Sequence, residues 1–191
     1  MANNESKVFI AGSRALSKLS RDVAHRLDNI IERQLTVLIG DASGVDKAVQ
    51  TYLSKKHYSN VQVFCMQSGC RNNIGNWTTR MISAANSSRR DFAYYATKDR
   101  VMTEEADYGL MLWDGESRGT FTSIVDLVRR GKPVALYFAP ERAFHTLRNS
   151  GDLEVLLGRV DPTALSYVTP QLHPISKSGA ASHSGDTSLL F

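Results

Sequence analysis

Three times in this chain a short apolar run breaks into a turn of small residues and then into a helical pattern. Residues 8–11 lead into Gly12-Ser13-Arg14. Residues 35–39 lead into Gly40-Asp41-Ala42-Ser43-Gly44-Val45-Asp46-Lys47, and residues 108–112 into Trp113-Asp114-Gly115-Glu116-Ser117-Arg118-Gly119-Thr120. Such turns aim backbone N–H groups and a helix N-terminus into one crevice, which favours an anion such as a phosphate. The repeated order of strand, turn and helix argues for parallel strands joined by right-handed crossovers. The expected class is α/β: a mostly parallel sheet of about five or more strands flanked by helices.

The strands read as buried because they are continuous apolar runs rather than alternating ones. They cover residues 8–11, 35–39, 61–64, 108–112 and 133–138. Helices are expected where apolar residues recur at helical spacing: Leu19, Val23, Leu27 and Ile30; Val45, Ala48, Val49, Tyr52 and Leu53; Phe121, Ile124, Val125 and Val128. Residues 91–103 also look helical. The stretch 66–77 is rich in Gly, Asn and Ser and reads as a long loop, followed by a helix over 78–86. Loops of that length in a compact domain are often functional. Beyond Pro140 the pattern weakens, with a short helix expected over 153–157 and an extended piece at 167–168. The chain divides into a flexible N-terminus (1–6), a nucleotide-binding domain (7–140), a C-terminal extension (141–172) and a Ser-, Gly- and Ala-rich tail expected to be disordered (173–191).

The 191 residues carry a net charge of +4. The basic residues are scattered rather than gathered into a stripe, so nucleic acid is not expected as a partner. No apolar stretch is long enough for a membrane span. The N-terminus lacks a signal pattern, and a cytoplasmic protein is expected. Cys65 and Cys70 have no His partner nearby at metal-site spacing, so two reduced thiols and no metal site are expected. A phosphate ligand can bring Mg²⁺ with it; no other cofactor is indicated.

The candidate ligand-binding residues are those of the turns: Gly12, Ser13, Arg14, Gly40, Asp41, Ser43, Gly44, Asp46, Trp113, Gly115, Ser117, Arg118, Gly119 and Thr120. Arg14 and Arg118 offer guanidinium groups to a phosphate. Ser43, Ser117 and Thr120 stand at helix starts, where a hydroxyl caps the helix or donates to a phosphate oxygen. Asp46 falls in a first helical turn, and Asp41 is placed to accept from a ribose hydroxyl or hold a loop. Trp113 ends a strand or stacks on a base. Glu116, with Asp114 beside it, is the candidate catalytic carboxylate for N-glycosidic cleavage.

These turns, in this order, with Lys98-Asp99-Arg100-Val101-Met102 and Ala106-Asp107 between the second and third, resemble the SLOG superfamily. The similarity covers about residues 7–140 and is closest to the YspA-like branch, related to the YpsA, DprA/Smf and LOG proteins. It implies a Rossmann-like fold with a nucleotide or nucleotide-derived ligand at the C-terminal ends of the strands, with homo-oligomers common. Some relatives are phosphoribohydrolases, others are regarded as non-catalytic nucleotide sensors, and DprA relatives handle single-stranded DNA. The LOG enzymes carry a glutamate after Gly-Thr where this chain has Ser123. That departure weakens the LOG-type hydrolase reading.

Overall fold

The computed structural model describes residues 6–84 and 91–168. The expected flexible stretch 1–6 and the expected tail from 173 lie outside them, apart from residue 6. In chain order the elements are β1 (Lys7–Gly12), α1 (Arg21–Glu32), β2 (Thr36–Ile39), α2 (Val45–Lys55), β3 (Val61–Met66), β4 (Thr78–Ile82), α3 (Phe92–Glu105), β5 (Tyr108–Trp113), α4 (Arg118–Arg129), β6 (Val134–Phe138), β7 (Ala143–Leu147), α5 (Ser150–Leu157) and α6 (Pro162–Val168).

The strands form one seven-stranded sheet in the order β4-β3-β2-β1-β5-β6-β7. Every pairing is parallel except β6 with β7. This is a Rossmann-like α/β fold. Alternate side chains of the central strands enter two separate cores. Phe9, Leu38, Phe64, Met111, Trp113, Leu136 and Phe138 pack with residues of α3, α4 and α5 on one face. Val8, Ile10, Val37, Ile39, Val63, Leu110 and Leu112 pack with Val23, Leu27, Ile30, Val49 and Leu53 of α1 and α2 on the other. The chain winds outward from β1 through β2, β3 and β4, then returns to lay β5 on the other side of β1. Loops at the C-terminal ends of β1 and β5 therefore diverge, and an open α/β sheet binds its ligands at such a reversal of strand order.

The structure corrects the sequence reading at three places. The expected helix over 78–86 is strand β4 in its described part, paired in parallel register with β3. Its Thr78, Thr79 and Ile82 are β-branched, which suits a pleated edge strand and not a helix. The expected extended piece at 167–168 is instead the end of α6. That helix starts with Pro162, whose missing N–H is harmless at a first position, and Asp161 Oδ1 accepts from the Thr163 and Ala164 amides. Strand β7 went unread. It pairs antiparallel with β6 and brings Leu147, with Leu153 and Leu156 of α5, into the first core.

Candidate functional site

An open cleft of about 1150 Å³ lies over the β1–β5 reversal. Its floor is made of Ala11, Gly12, Gly40, Ala42 and Asp46. One wall is a face of α3 (Phe92, Tyr95, Ala96, Lys98, Asp99), and the other is the start of α4 (Ser117, Arg118, Gly119, Thr120, Ser123). Arg14, Arg71, Asp114 and Glu116 also line it.

The α4 wall is built by its cap. Asp114 Oδ1 accepts from the amides of Glu116 (3.0 Å) and Ser117 (2.8 Å), and the Asp114 amide donates to Ser13 Oγ at 3.2 Å. Ser117 caps α4 and lies 3.0 Å from Thr120 Oγ1. Arg118, Gly119 and Thr120 bring the partial positive charge of the helix start to the cleft. Across the gap, the Arg118 guanidinium lies over the half-exposed Phe92 ring, 5.2 Å from its centroid.

The second turn is held by buried polar groups. Asp41 is 1% exposed and takes a two-pronged contact from Arg71, Nη2 to Oδ1 at 2.6 Å and Nε to Oδ2 at 3.2 Å. The Arg71 amide adds a bond to Oδ2 at 3.0 Å, and Asn72 Nδ2 reaches the Asp41 carbonyl at 2.8 Å. Burial pushes the Asp41 carboxyl up, but the Arg71 bonds outweigh it and hold its pKa below the usual value. Arg71 also lies over the Tyr95 ring at 4.8 Å, and Arg14 over the same ring at 5.9 Å. Gly44 has φ +76°, and a Cβ there would meet the Arg14 backbone at 2.5 Å, so this position requires glycine.

On the floor, Asp46 Oδ2 accepts from the Ala42 amide at 3.0 Å. Burial pushes the Asp46 carboxyl up to about 6, against the pull of Lys98. Lys98 is buried and donates to Asp99 Oδ1 at 2.8 Å. Burial lowers the Lys98 pKa, but Asp99 and Asp46 outweigh that and raise it. A Cβ on Gly40 would stand 2.5 Å from Asp46 Oδ2 and 2.7 Å from Lys98 Nζ, so a larger residue there would push these charged groups off the end of β2.

Of the sequence candidates, Gly12, Arg14, Gly40, Asp46, Asp114, Glu116, Ser117, Arg118, Gly119 and Thr120 line the cleft. Ser13 and Asp41 lie buried behind it as loop anchors. Gly44 and Gly115 shape the turns with positive φ. Ser43 is exposed and does not line the cleft. Trp113 is fully buried, stacked on Phe121 and tilted against Phe138, with Nε1 donating to the Ser117 carbonyl at 3.1 Å. It shapes the start of α4 from inside the core. Glu116 is exposed, and Asp114 Oδ1 is committed to two loop amides.

Arg71, Phe92, Tyr95, Lys98 and Asp99 were missed as cleft residues. One signal for Lys98 was available: Tyr94, Lys98 and Met102 recur every fourth residue, so the lysine sits on the buried stripe of α3. The expectation of two reduced thiols is also corrected, because Cys65 and Cys70 are joined in a disulfide. With Asp41 they form a group whose ligand-type atoms lie within 4.8 Å of one another. The sulfurs are bonded to each other and the carboxylate to Arg71.

No family model and no curated protein matches the chain. Among solved structures it is similar to DNA processing protein A from Helicobacter pylori, a single-stranded DNA binder. The TM-score is 0.55 at 13% identity, over 86% of this chain and 79% of that one. It is also similar to DNA processing protein A (DprA) from Streptococcus pneumoniae, with a TM-score of 0.51 at 15% identity over 69% of this chain and 50% of that one. The chain thus spans half of the Streptococcus protein and shares its fold with both. The Helicobacter protein's ligand overturns the expectation that set nucleic acid aside on scattered charge alone. Among the described residues, no helix is long and apolar enough to cross a membrane.

Proposed function

We propose that the cleft binds a nucleotide, with its phosphate between Arg118 and the first turn of α4 and its base against the aromatic wall of α3. The observation that carries this reading is the convergence, on one cleft, of the α4 start and two sets of arginine-on-aromatic pairs: Arg118 on Phe92, and Arg14 with Arg71 on Tyr95. A guanidinium and a helix N-terminus both stabilise phosphate oxygens. An aromatic face beside them suits a base. Binding without hydrolysis is the reading the geometry favours. Ser123 stands where the LOG enzymes carry their glutamate, Glu116 is exposed, and Asp114 serves the loop.

A second reading has its own support. The Phe92 ring is 39% exposed beside Arg118, and an arginine-aromatic lip of this kind is a stacking platform for successive bases of a single strand. The Helicobacter protein of the same fold binds such a strand.

Titration with AMP, ADP and a dT oligomer separates the two. Arg118→Ala is expected to weaken the bound species about tenfold, the loss of one charge-assisted contact. It should leave the melting temperature nearly unchanged, because the side chain lies at the surface of the cleft. Affinity for the oligomer that falls steeply with salt, with no affinity for AMP or ADP, would move the conclusion to the strand. Wild-type affinity for every probe in an Arg14→Ala/Arg118→Ala double variant would overturn both readings.

A further inference from the structure

We propose that the Cys65–Cys70 disulfide is a redox clasp that fixes Arg71 at the cleft, so that its reduction loosens ligand binding. The inference rests on the nucleotide reading for its effect on binding, but not for the clasp itself.

The two sulfurs differ in setting. Cys65 lies inside β3, fully buried and in register with Met81 of β4. Cys70 lies on the exposed turn after that strand. The bond therefore ties an exposed turn residue to the buried sheet, and a reductant approaches from the Cys70 side. Only five positions separate the two cysteines. A ring that small removes little freedom from the unfolded chain, so its main effect is local placement.

What it places is the next residue. Arg71 follows Cys70 directly, and its backbone and guanidinium hold Asp41 while its side chain covers Tyr95 in the cleft. Upstream of Arg71 the turn is also tied by the Gln67 amide to the Ile82 carbonyl, Ser83 Oγ to Gln67 Oε1, the Gly69 amide to the Met66 carbonyl, and Tyr94 Oη to Ser68 Oγ at 3.0 Å. Both sulfurs also sit beside the Asp41 carboxylate. Reduction frees Cys70, and with it the backbone that carries Arg71, from β3 beside that carboxylate.

The reductant is a dithiol. Its thiolate attacks Cys70 Sγ, the S–S bond breaks, and Cys65 leaves as the thiolate and takes a proton. The second thiol of the reductant then resolves the mixed disulfide on Cys70. Two electrons and two protons pass to the protein, and the reductant leaves as its cyclic disulfide.

The test uses the full chain, oxidised or treated with dithiothreitol, in EDTA so that no metal captures the thiols. Thiol counting establishes each state. Hydrogen exchange of the Arg71 amide, which donates to Asp41, reads the clasp without any ligand. ADP titration reads the cleft. Exchange at residues 67–73 is expected to rise about tenfold on reduction, and ADP affinity to fall about fivefold. Cys70→Ser should show the reduced behaviour under both conditions. Unchanged exchange and unchanged affinity would overturn the clasp, as would two free thiols persisting under a disulfide oxidant. Exchange that responds to reduction in a protein that never binds ADP would uphold the clasp and remove the nucleotide reading instead.

Discussion

Trp113→Ala is expected to cost about 3–5 kcal/mol of folding stability, the range for deleting a large buried aromatic. The side chain is wholly excluded from solvent, stacks on Phe121 with 5.3 Å between ring centroids, and touches Phe138 at 5.6 Å. Its removal leaves a void that joins β5, α4 and β6. The indole N–H also anchors the carbonyl of Ser117, the residue directly before Arg118 and the helix start proposed to meet the phosphate. Chemical denaturation measures the loss. Trp113→Phe keeps most of the volume but not the N–H donor, so it should be milder in stability and still disturb the α4 cap. A Trp113→Ala protein with wild-type stability and lost nucleotide affinity would mean that the ring faces the ligand and not the core.

The contrast between Trp113 and Arg71 shows what a sequence of this kind reveals. The five central strands are legible because a strand buried on both faces must be apolar at nearly every position. Strands β4 and β7 are edges, half exposed, and carry no such run. Thr78, Thr79 and Ala143 therefore gave no strand pattern. The glycine turns are legible because small residues directly after an apolar run mark a strand-to-helix turn, although what crowds Gly44 and Gly40 comes from Arg14 and Lys98, far away in the chain. The opposite wall of the cleft is not local. Phe92, Tyr95 and Lys98 come from a helix that meets the turns only because β5 returns to the side of β1 away from β2. Arg71 comes from the loop after β3, and nothing in its flanking residues signals that it pairs with an aspartate thirty positions earlier. Trp113 was ambiguous for a further reason. A tryptophan at a strand end fits a base platform and a core equally well, and only the packing of α4 against β5 decides.

Asp46→Asn is expected to stabilise the protein at pH 8 and to have little effect at pH 3.5. The Asp46 carboxyl has a pKa of about 6 against an ordinary value of 3.8, and the largest cause is its burial. A carboxyl with a raised folded-state pKa takes up a proton on folding between those two values. Its cost to the fold is absent below about pH 4, grows as pH rises, and is complete above about pH 6. The interval corresponds to about 3 kcal/mol. An asparagine avoids that cost and keeps an oxygen for the Ala42 amide. That interval is already net of the attraction to Lys98, and only the favourable place of an acid in the first turn of α2 is lost besides, so the gain at pH 8 is about 2–3 kcal/mol. Urea denaturation of both proteins from pH 3.5 to 8 measures it, and the difference should open between about pH 4 and 6. A variant that is destabilised, and increasingly so as pH rises, would show instead that the charged Asp46–Lys98 pairing holds the cleft floor together. The nucleotide reading proposed above gives that aspartate a role on the cleft floor, where its charge or its proton meets the ligand. The same variant should then lose affinity for the nucleotide while gaining stability.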